Sequence, residues 1–266
     1  MHAEERTIPL TGTPLTARLY VAGAGDPVLY FHGAGGHAWT ALHDRLAGRF
    51  TLHAPMHPGW DDMRDLDQFD TVADLVLYYT DILDALGIAR AALVGHSVGG
   101  MVAAEVAAMR PDRVSRVALI APWGLWRDDE PVADIWSQSP AQLAALLWHE
   151  PDGQVARAHA PVLEPEVLLQ GYLAGAAAAH FTWPIPDRGL RRRLHRITAP
   201  TVLIWGRADK VVPVSYAADF AAGLPDSRTV LLDEAGHNVH LERADAVADA
   251  VIEHLSAEAL EQAYGA

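Results

Sequence analysis

Short, almost uninterrupted apolar runs recur along the chain at Pro27–Phe31, Phe50–Ala54, Ala91–Val94, Val117–Ile120, Thr201–Trp205 and Thr229–Leu232. Thr16–Val21 instead alternates apolar with polar residues. A run without a polar face predicts a strand covered on both sides, as in a parallel sheet between two helical layers. Between the runs the spacing becomes helical. Val72, Leu75, Val76, Tyr79, Ile82, Leu83 and Leu86 share one face, with Gly87 placed to end the helix. Ala244, Val247, Ala248, Val251, Ile252 and Leu255 repeat the pattern near the C-terminus. Strands alternating with helices predict an α/β fold built on a doubly wound, mostly parallel sheet.

One region breaks this rhythm. Between Trp123 and Arg196 there is no clear strand pattern, but Gln142–Trp148 and Glu166–Ala179 read as helices, with Pro140 and Pro165 near their starts. The chain therefore divides into a core over 1–122, a helical cap insertion over 123–196 and a second core part over 197–266. The basic run Arg191–Arg193 at the exit of the insertion reads as a solvated or salt-bridged face. Five of the eight tryptophans (Trp123, Trp126, Trp136, Trp148 and Trp183) fall in the insertion.

Charge and composition narrow the function classes. With 34 acidic and 20 basic residues, a net charge of −14 disfavours nucleic acid and anionic membrane surfaces as partners. The chain has no cysteine, so thiolate catalysis, disulfides and zinc–sulfur sites are excluded. No signal-peptide pattern and no apolar run long enough to span a membrane is present, and a cytoplasmic location is the expectation.

The chemistry begins where Ala91–Val94 runs into Gly95-His96-Ser97-Val98-Gly99-Gly100 and then into a helical stretch, Met101–Met109. This is G-x-S-x-G between a strand and a helix. The serine must occupy a tight turn in a backbone conformation that most residues avoid, and the flanking glycines remove Cβ atoms that would clash there. Ser97 is thereby presented at a helix N-terminus, where free N–H groups favour developing negative charge.

A serine hydroxyl needs a base, and the base an orienting acid. Among 14 histidines, His237 follows Thr229–Leu232 through a short loop at the strand end where sites gather in such sheets. His240 is its rival and reads as the start of the following helix; His32 reads as a brace for the loop after it. Asp209 follows Thr201–Trp205 and precedes His237 by 28 residues, giving the chain order Ser97, Asp209, His237. Asp128 and Asp129 are the alternative acids. The oxyanion would be held by backbone N–H groups of Val98 and of the loop His32-Gly33-Ala34-Gly35-Gly36, with Ala34 preferred and Gly35 its rival. That loop matches neither a dinucleotide fingerprint nor a P-loop.

HGAGG, GHSVGG, GRADK and EAGHNVHLE, in that order, resemble the α/β-hydrolase family, and its capped esterase- and lipase-like branch in particular. The resemblance implies an eight-stranded sheet, no cofactor, no metal, and a two-step reaction through an acyl-enzyme. The segment Met56-His57-Pro58-Gly59-Trp60-Asp61 departs from the family's D-x-P-G-x-G pattern at its first and last positions. Serine as nucleophile argues against dehalogenase and epoxide-hydrolase relatives. Val98 and Asn238 stand where C–C bond (meta-cleavage product) hydrolases typically have methionine and tryptophan. The expected substrate is a small-molecule carboxylic ester with an apolar acyl or aryl part, Gly35, Trp123 and Trp183 helping to line its pocket. A C–C hydrolase or lactonase on the same residues is the alternative, and a small-molecule receptor that keeps the triad is the alternative of another class.

Overall fold

The computed structural model describes residues 3–60, 62–160 and 164–257; Asp61, noted above, lies outside them. An eight-stranded sheet runs through the molecule in the order β1-β2-β4-β3-β5-β6-β7-β8. Its strands are β1 (Glu4–Pro9), β2 (Thr16–Ala22), β3 (Pro27–Phe31), β4 (Thr51–Pro55), β5 (Ala91–His96), β6 (Val114–Ile120), β7 (Thr201–Gly206) and β8 (Ser227–Leu232). β1 and β2 pair antiparallel, as do β2 and β4; all other pairings are parallel. The sheet is thus the mostly parallel, eight-stranded one expected.

The helices of the core are α1 (Ala41–Ala47), α2 (Val72–Ala85), α3 (Val98–Met109), α7 (Tyr216–Gly223), α8 (Val239–Glu242) and α9 (Ala244–Ser256). Side chains alternate across each strand, so an all-apolar run feeds two cores at once. Leu29, Phe31, Leu93, Leu119, Leu203 and Trp205 face one layer with residues of α2 and α3. Val28, Tyr30, Val94, Ala118, Ile120, Val202 and Ile204 face the other, with Leu42 and Leu46 of α1 and Val247 and Val251 of α9. β1 escaped the sequence reading because it is almost wholly exposed and has no apolar face; backbone pairing alone defines it.

Between β6 and β7 lie α4 (Pro140–Leu147), α5 (Gln154–Ala158) and α6 (Pro165–Thr182). Proline at the first helical position begins both α4 and α6, where its missing N–H costs nothing. Of the basic run that follows, Arg193 makes a two-pronged ion pair with the buried Glu105 of α3 at 2.8 and 2.5 Å, and Arg191 pairs with Asp219. That pair fastens the exit of the segment to the core.

Candidate active site

Ser97 sits between β5 and α3 with φ 56° and ψ −121°, a left-handed conformation that is costly for a residue with a Cβ. The surroundings hold it there. Its N–H donates to Ile120 C=O (2.9 Å), and its C=O accepts from Met101 and Trp123 N–H (3.1 and 3.0 Å). The neighbouring glycines are steric requirements: a Cβ on Gly99 would lie 2.2 Å from Phe31 O, and one on Gly95 2.4 Å from Gly99 O.

Asp209 and His237 meet Ser97 from the ends of β7 and β8, across β6. A Cβ on Gly206, at the end of β7, would lie 2.3 Å from Ala235 O, so glycine there lets the β8–α8 loop cross directly over β7. Ala208 N–H donates to Ala235 C=O (2.9 Å), tying the two loops together. Asp209 Oδ1 accepts from Val211 and Val212 N–H (2.8 and 2.9 Å), while its Oδ2 lies 2.9 Å from His237 Nδ1. His237 Nε2 lies 2.8 Å from Ser97 Oγ. All three side chains are buried. With neutral imidazole, Nδ1–H donates to the carboxylate and Nε2 accepts the serine proton, which is the arrangement a general base needs.

The rival residues fall elsewhere. His240 belongs to α8, its ring packed at a 40° tilt against His96 with centroids 3.9 Å apart. Asp128 accepts from the Trp126 indole (2.8 Å) and Asp129 pairs with Arg127, both on the surface.

Three histidines shape the histidine and glycine loops without a hydrogen bond to Ser97 Oγ. His96 Nε2–H donates to His237 C=O (3.0 Å). His32 Nδ1–H donates to Gly33 C=O (2.8 Å), and its Nε2 accepts from His57 N–H (3.1 Å). His57 Nε2–H returns a bond to His32 C=O (2.7 Å), while its Nδ1 accepts from Tyr79 OH. This chain needs both rings neutral. Burial supplies that, pushing His57 down to about 4 and His96 to about 3, and holding His32 well below the usual histidine range. His32 thus braces the glycine loop; the contribution of His57 and His96 carries no motif and was not visible in the sequence.

Glu242, on α8, closes the site from behind. Its carboxylate accepts from Gly236 N–H (2.6 Å) and from His149 N–H (2.8 Å), just past α4. Asn238 N–H donates to Leu147 C=O (3.0 Å) alongside. The end of α4 is therefore fastened to the loop that carries His237.

A ring of contacts begins and ends at Ser97. Gly33 passes so close that a Cβ there would lie 3.5 Å from Ser97 Cβ, and Gly36 N–H closes the glycine turn on Gly33 C=O (3.2 Å). Gly36 faces Trp60 and Ala174 of α6, Gly175 faces Trp136, and Trp136 meets Trp123 edge-to-face at 6.1 Å. Trp123 returns to Ser97 through its N–H. Ala34 packs into both apolar clusters that border this ring, and Val98 is the first residue of α3, where backbone N–H groups have no partner within the helix. Of the other expected pocket residues, Gly35 is an exposed turn tip with open space at its Cβ position. Trp183 ends α6 with 57% of its surface exposed and is outside the ring. Its place is taken by Trp136, which the sequence places in the insertion but ranks below Trp123 and Trp183.

Among the described residues no group of three or more metal-ligating side chains converges, and no helix is long and apolar enough to cross a membrane.

A strained serine at the strand–helix turn after β5, joined to an aspartate after β7 and a histidine after β8, defines the class of α/β hydrolases. The sequence profile of the alpha/beta hydrolase family matches residues 28–250, and the chain belongs to that family. It is 29% identical over 252 residues to a 2-hydroxy-6-oxo-6-phenylhexa-2,4-dienoate hydrolase of Burkholderia cepacia, covering 85% of this chain and 86% of that protein. The hydrolase of the same name from Rhodococcus sp. strain RHA1 superposes with a TM-score of 0.76 at 22% identity, over 96% of this chain and 99% of that one. Naproxen esterase from Bacillus subtilis superposes with a TM-score of 0.72 at 17% identity, over 96% and 92%.

Proposed function

We propose that the protein is a serine-dependent carboxylic ester hydrolase acting on small to medium neutral esters through an acyl-enzyme. The observation that carries this reading is the unbroken hydrogen-bonded chain from Ser97 Oγ through His237 to Asp209, beside a ring of contacts in which none of Gly33, Gly36, Trp60, Trp123, Trp136, Ala174 and Gly175 is ionisable. His237 Nε2 takes the hydroxyl proton as Ser97 Oγ attacks the carbonyl carbon. The oxyanion is met by the N–H groups of Val98 and Ala34. His237 then gives its proton to the leaving alkoxide, and water activated by the same nitrogen releases the acid. Asp209 fixes the tautomer and stabilises the imidazolium. The β6–β7 segment serves as the cap, with Trp123, Trp136 and α6 against the acyl or aryl part.

The similarity to dienoate hydrolases favours a second reading, C–C bond hydrolysis on the same three residues. A dienoate carries a carboxylate, and burying one requires a paired cation or several donors; an uncharged ring suits a neutral ester better. Turnover decides. Short-chain p-nitrophenyl esters should be hydrolysed over many equivalents by the wild type and left intact by Ser97→Ala. A single stoichiometric burst would favour a receptor, and activity surviving Ser97→Ala would remove the ester reading. Faster consumption of a vinylogous diketone than of any ester would install the C–C reading instead.

A further inference from the structure

The Met56–Asp61 segment was the one departure from the family pattern that the proposed chemistry leaves unused, and its Trp60 has an unsatisfied group. An indole N–H only donates, and buried indoles normally find an acceptor. Trp205 does so at Val212 C=O (3.0 Å), and Trp39 at Asp44 (3.0 Å). Trp60 is 3% exposed, yet its Nε1, like that of the equally buried Trp123, meets no acceptor among the described residues. Its position is fixed tightly. The ring lies against His57 and His32, with centroids 4.6 and 5.3 Å away, and against Ala174, Ala177 and Ala178 of α6. The atom it turns toward Gly36 is Cδ1, the carbon bonded to Nε1, 3.7 Å from where a Gly36 Cβ would stand. The pyrrole side of the indole, which carries Nε1, therefore lies toward the glycine loop whose Gly33 passes Ser97. His57 and His32 cannot serve as its acceptors, because both nitrogens of each ring are engaged in the chain that holds that loop.

We infer that Trp60 is a specificity-determining residue: its indole N–H receives a second acceptor oxygen of the substrate, so that esters with an ether, keto or further ester oxygen in the acyl or alcohol chain are preferred over all-carbon esters of the same shape. The inference rests on the ester-hydrolase reading for its substrate class. An all-carbon chain leaves the buried donor unpaired. An oxygen at the matching position satisfies it, and the difference is that of one hydrogen bond in a dry site.

The test uses isosteric pairs on the full-length enzyme: p-nitrophenyl methoxyacetate against butyrate, and 2-methoxyethyl acetate against butyl acetate. Intrinsic reactivity differs within each pair but cancels when the kcat/KM ratio of the wild type is divided by that of Trp60→Phe. The oxygen preference should fall roughly 3- to 10-fold in Trp60→Phe for at least one pair. Incorporating β-(3-benzothienyl)alanine at position 60 keeps the ring's shape and removes only the N–H; the same fall is expected even where phenylalanine perturbs packing. An unchanged ratio in both pairs, in both variants, overturns the inference and leaves the indole satisfied by solvent. Dissociation constants of the same esters for Ser97→Ala and for Ser97→Ala/Trp60→Phe read the preference without turnover. If the wild type hydrolyses no ester while this binding preference is lost with Trp60, the inference stands and the ester reading falls. If binding shows no such loss, the inference falls whatever the turnover.

Discussion

Acidification from pH 7.5 to 5 tests the buried-histidine framework as a whole. Burial pushes His57 down to about 4, and His43 and His96 to about 3, from an ordinary 6.5. Geometry agrees with neutrality: His43 Nδ1 accepts from Thr40 N–H (3.1 Å) and His57 Nδ1 from Tyr79 OH, so neither nitrogen has room for a proton. A group whose folded pKa lies below its unfolded value binds more protons in the unfolded chain. Its contribution to stability is intact above pH 6.5 and is lost as the pH falls toward the folded value. A pH of 5 lies about 1.5 units below 6.5 and above all three folded values, so each costs about 2 kcal/mol and the three about 6 kcal/mol together. That is comparable with the whole stability of an ordinary domain, about 5–15 kcal/mol. His32 and His240, also held well below the usual range, act in the same direction. Glu105, which burial raises, acts in the opposite one, since the folded protein then binds its proton more readily. Carboxylates with ordinary pKa values near 4 are still mostly ionised at pH 5 and contribute little to the change. Urea unfolding followed by tryptophan fluorescence at pH 7.5, 6 and 5 measures the loss. His43→Asn, which keeps an acceptor near Thr40 but removes one titration, should restore about 2 kcal/mol of it. An unfolding free energy that is the same at pH 7.5 and 5 would refute the reasoning.

Two further outcomes are expected. Asp209→Asn can keep its oxygen on the Val211 and Val212 N–H groups, but then presents an amide to His237 Nδ1, forcing the proton onto Nε2 where Ser97 needs an acceptor; esterase kcat should fall about 10⁴-fold, as for the equivalent change in serine proteases, with the thermal melt unmoved. Gly99→Ala must push its Cβ against Phe31 O and His32 O, at 2.2 and 2.4 Å, and should cost about 1–3 kcal/mol in urea unfolding, whereas Gly35→Ala, with nothing within 4 Å, should stay within about 0.5 kcal/mol.

The legible parts of the fold were those with a one-dimensional signature. Runs such as Leu29–Phe31 and Val202–Trp205 are apolar throughout because the sheet buries both faces, and GHSVGG is recognisable because glycine is the only residue that fits at Gly95 and Gly99. The spacing of Ser97, Asp209 and His237 anticipated a proximity that the structure displays, since each follows the C-terminal end of a parallel strand. α6 inverts the usual signal. It buries Ala174, Ala177 and Ala178 against the glycine loop and leaves Leu168, Leu169 and Tyr172 exposed, so hydrophobicity points to the wrong face. α1 and α7 are short, at 7 and 8 residues, too brief for a periodicity to stand out. Glu242 and His57 act on backbone groups far away in sequence, a relation that no local pattern encodes.

The fastening of α4 to the His237 loop has a consequence for anyone altering substrate range. Residues 147–149 lie some 90 positions from His237, yet their backbone shares one carboxylate and one direct hydrogen bond with its loop. A Cβ at Gly236 would collide with them at 2.8–3.0 Å. Diversity introduced there reaches the loop that holds His237, and losses of rate would be misread as losses of fit. Trp136 and the alanine face of α6 border the same ring without any bond to the base or its acid. Libraries confined to those positions vary the shape offered to a substrate while the proton-transfer geometry is held constant.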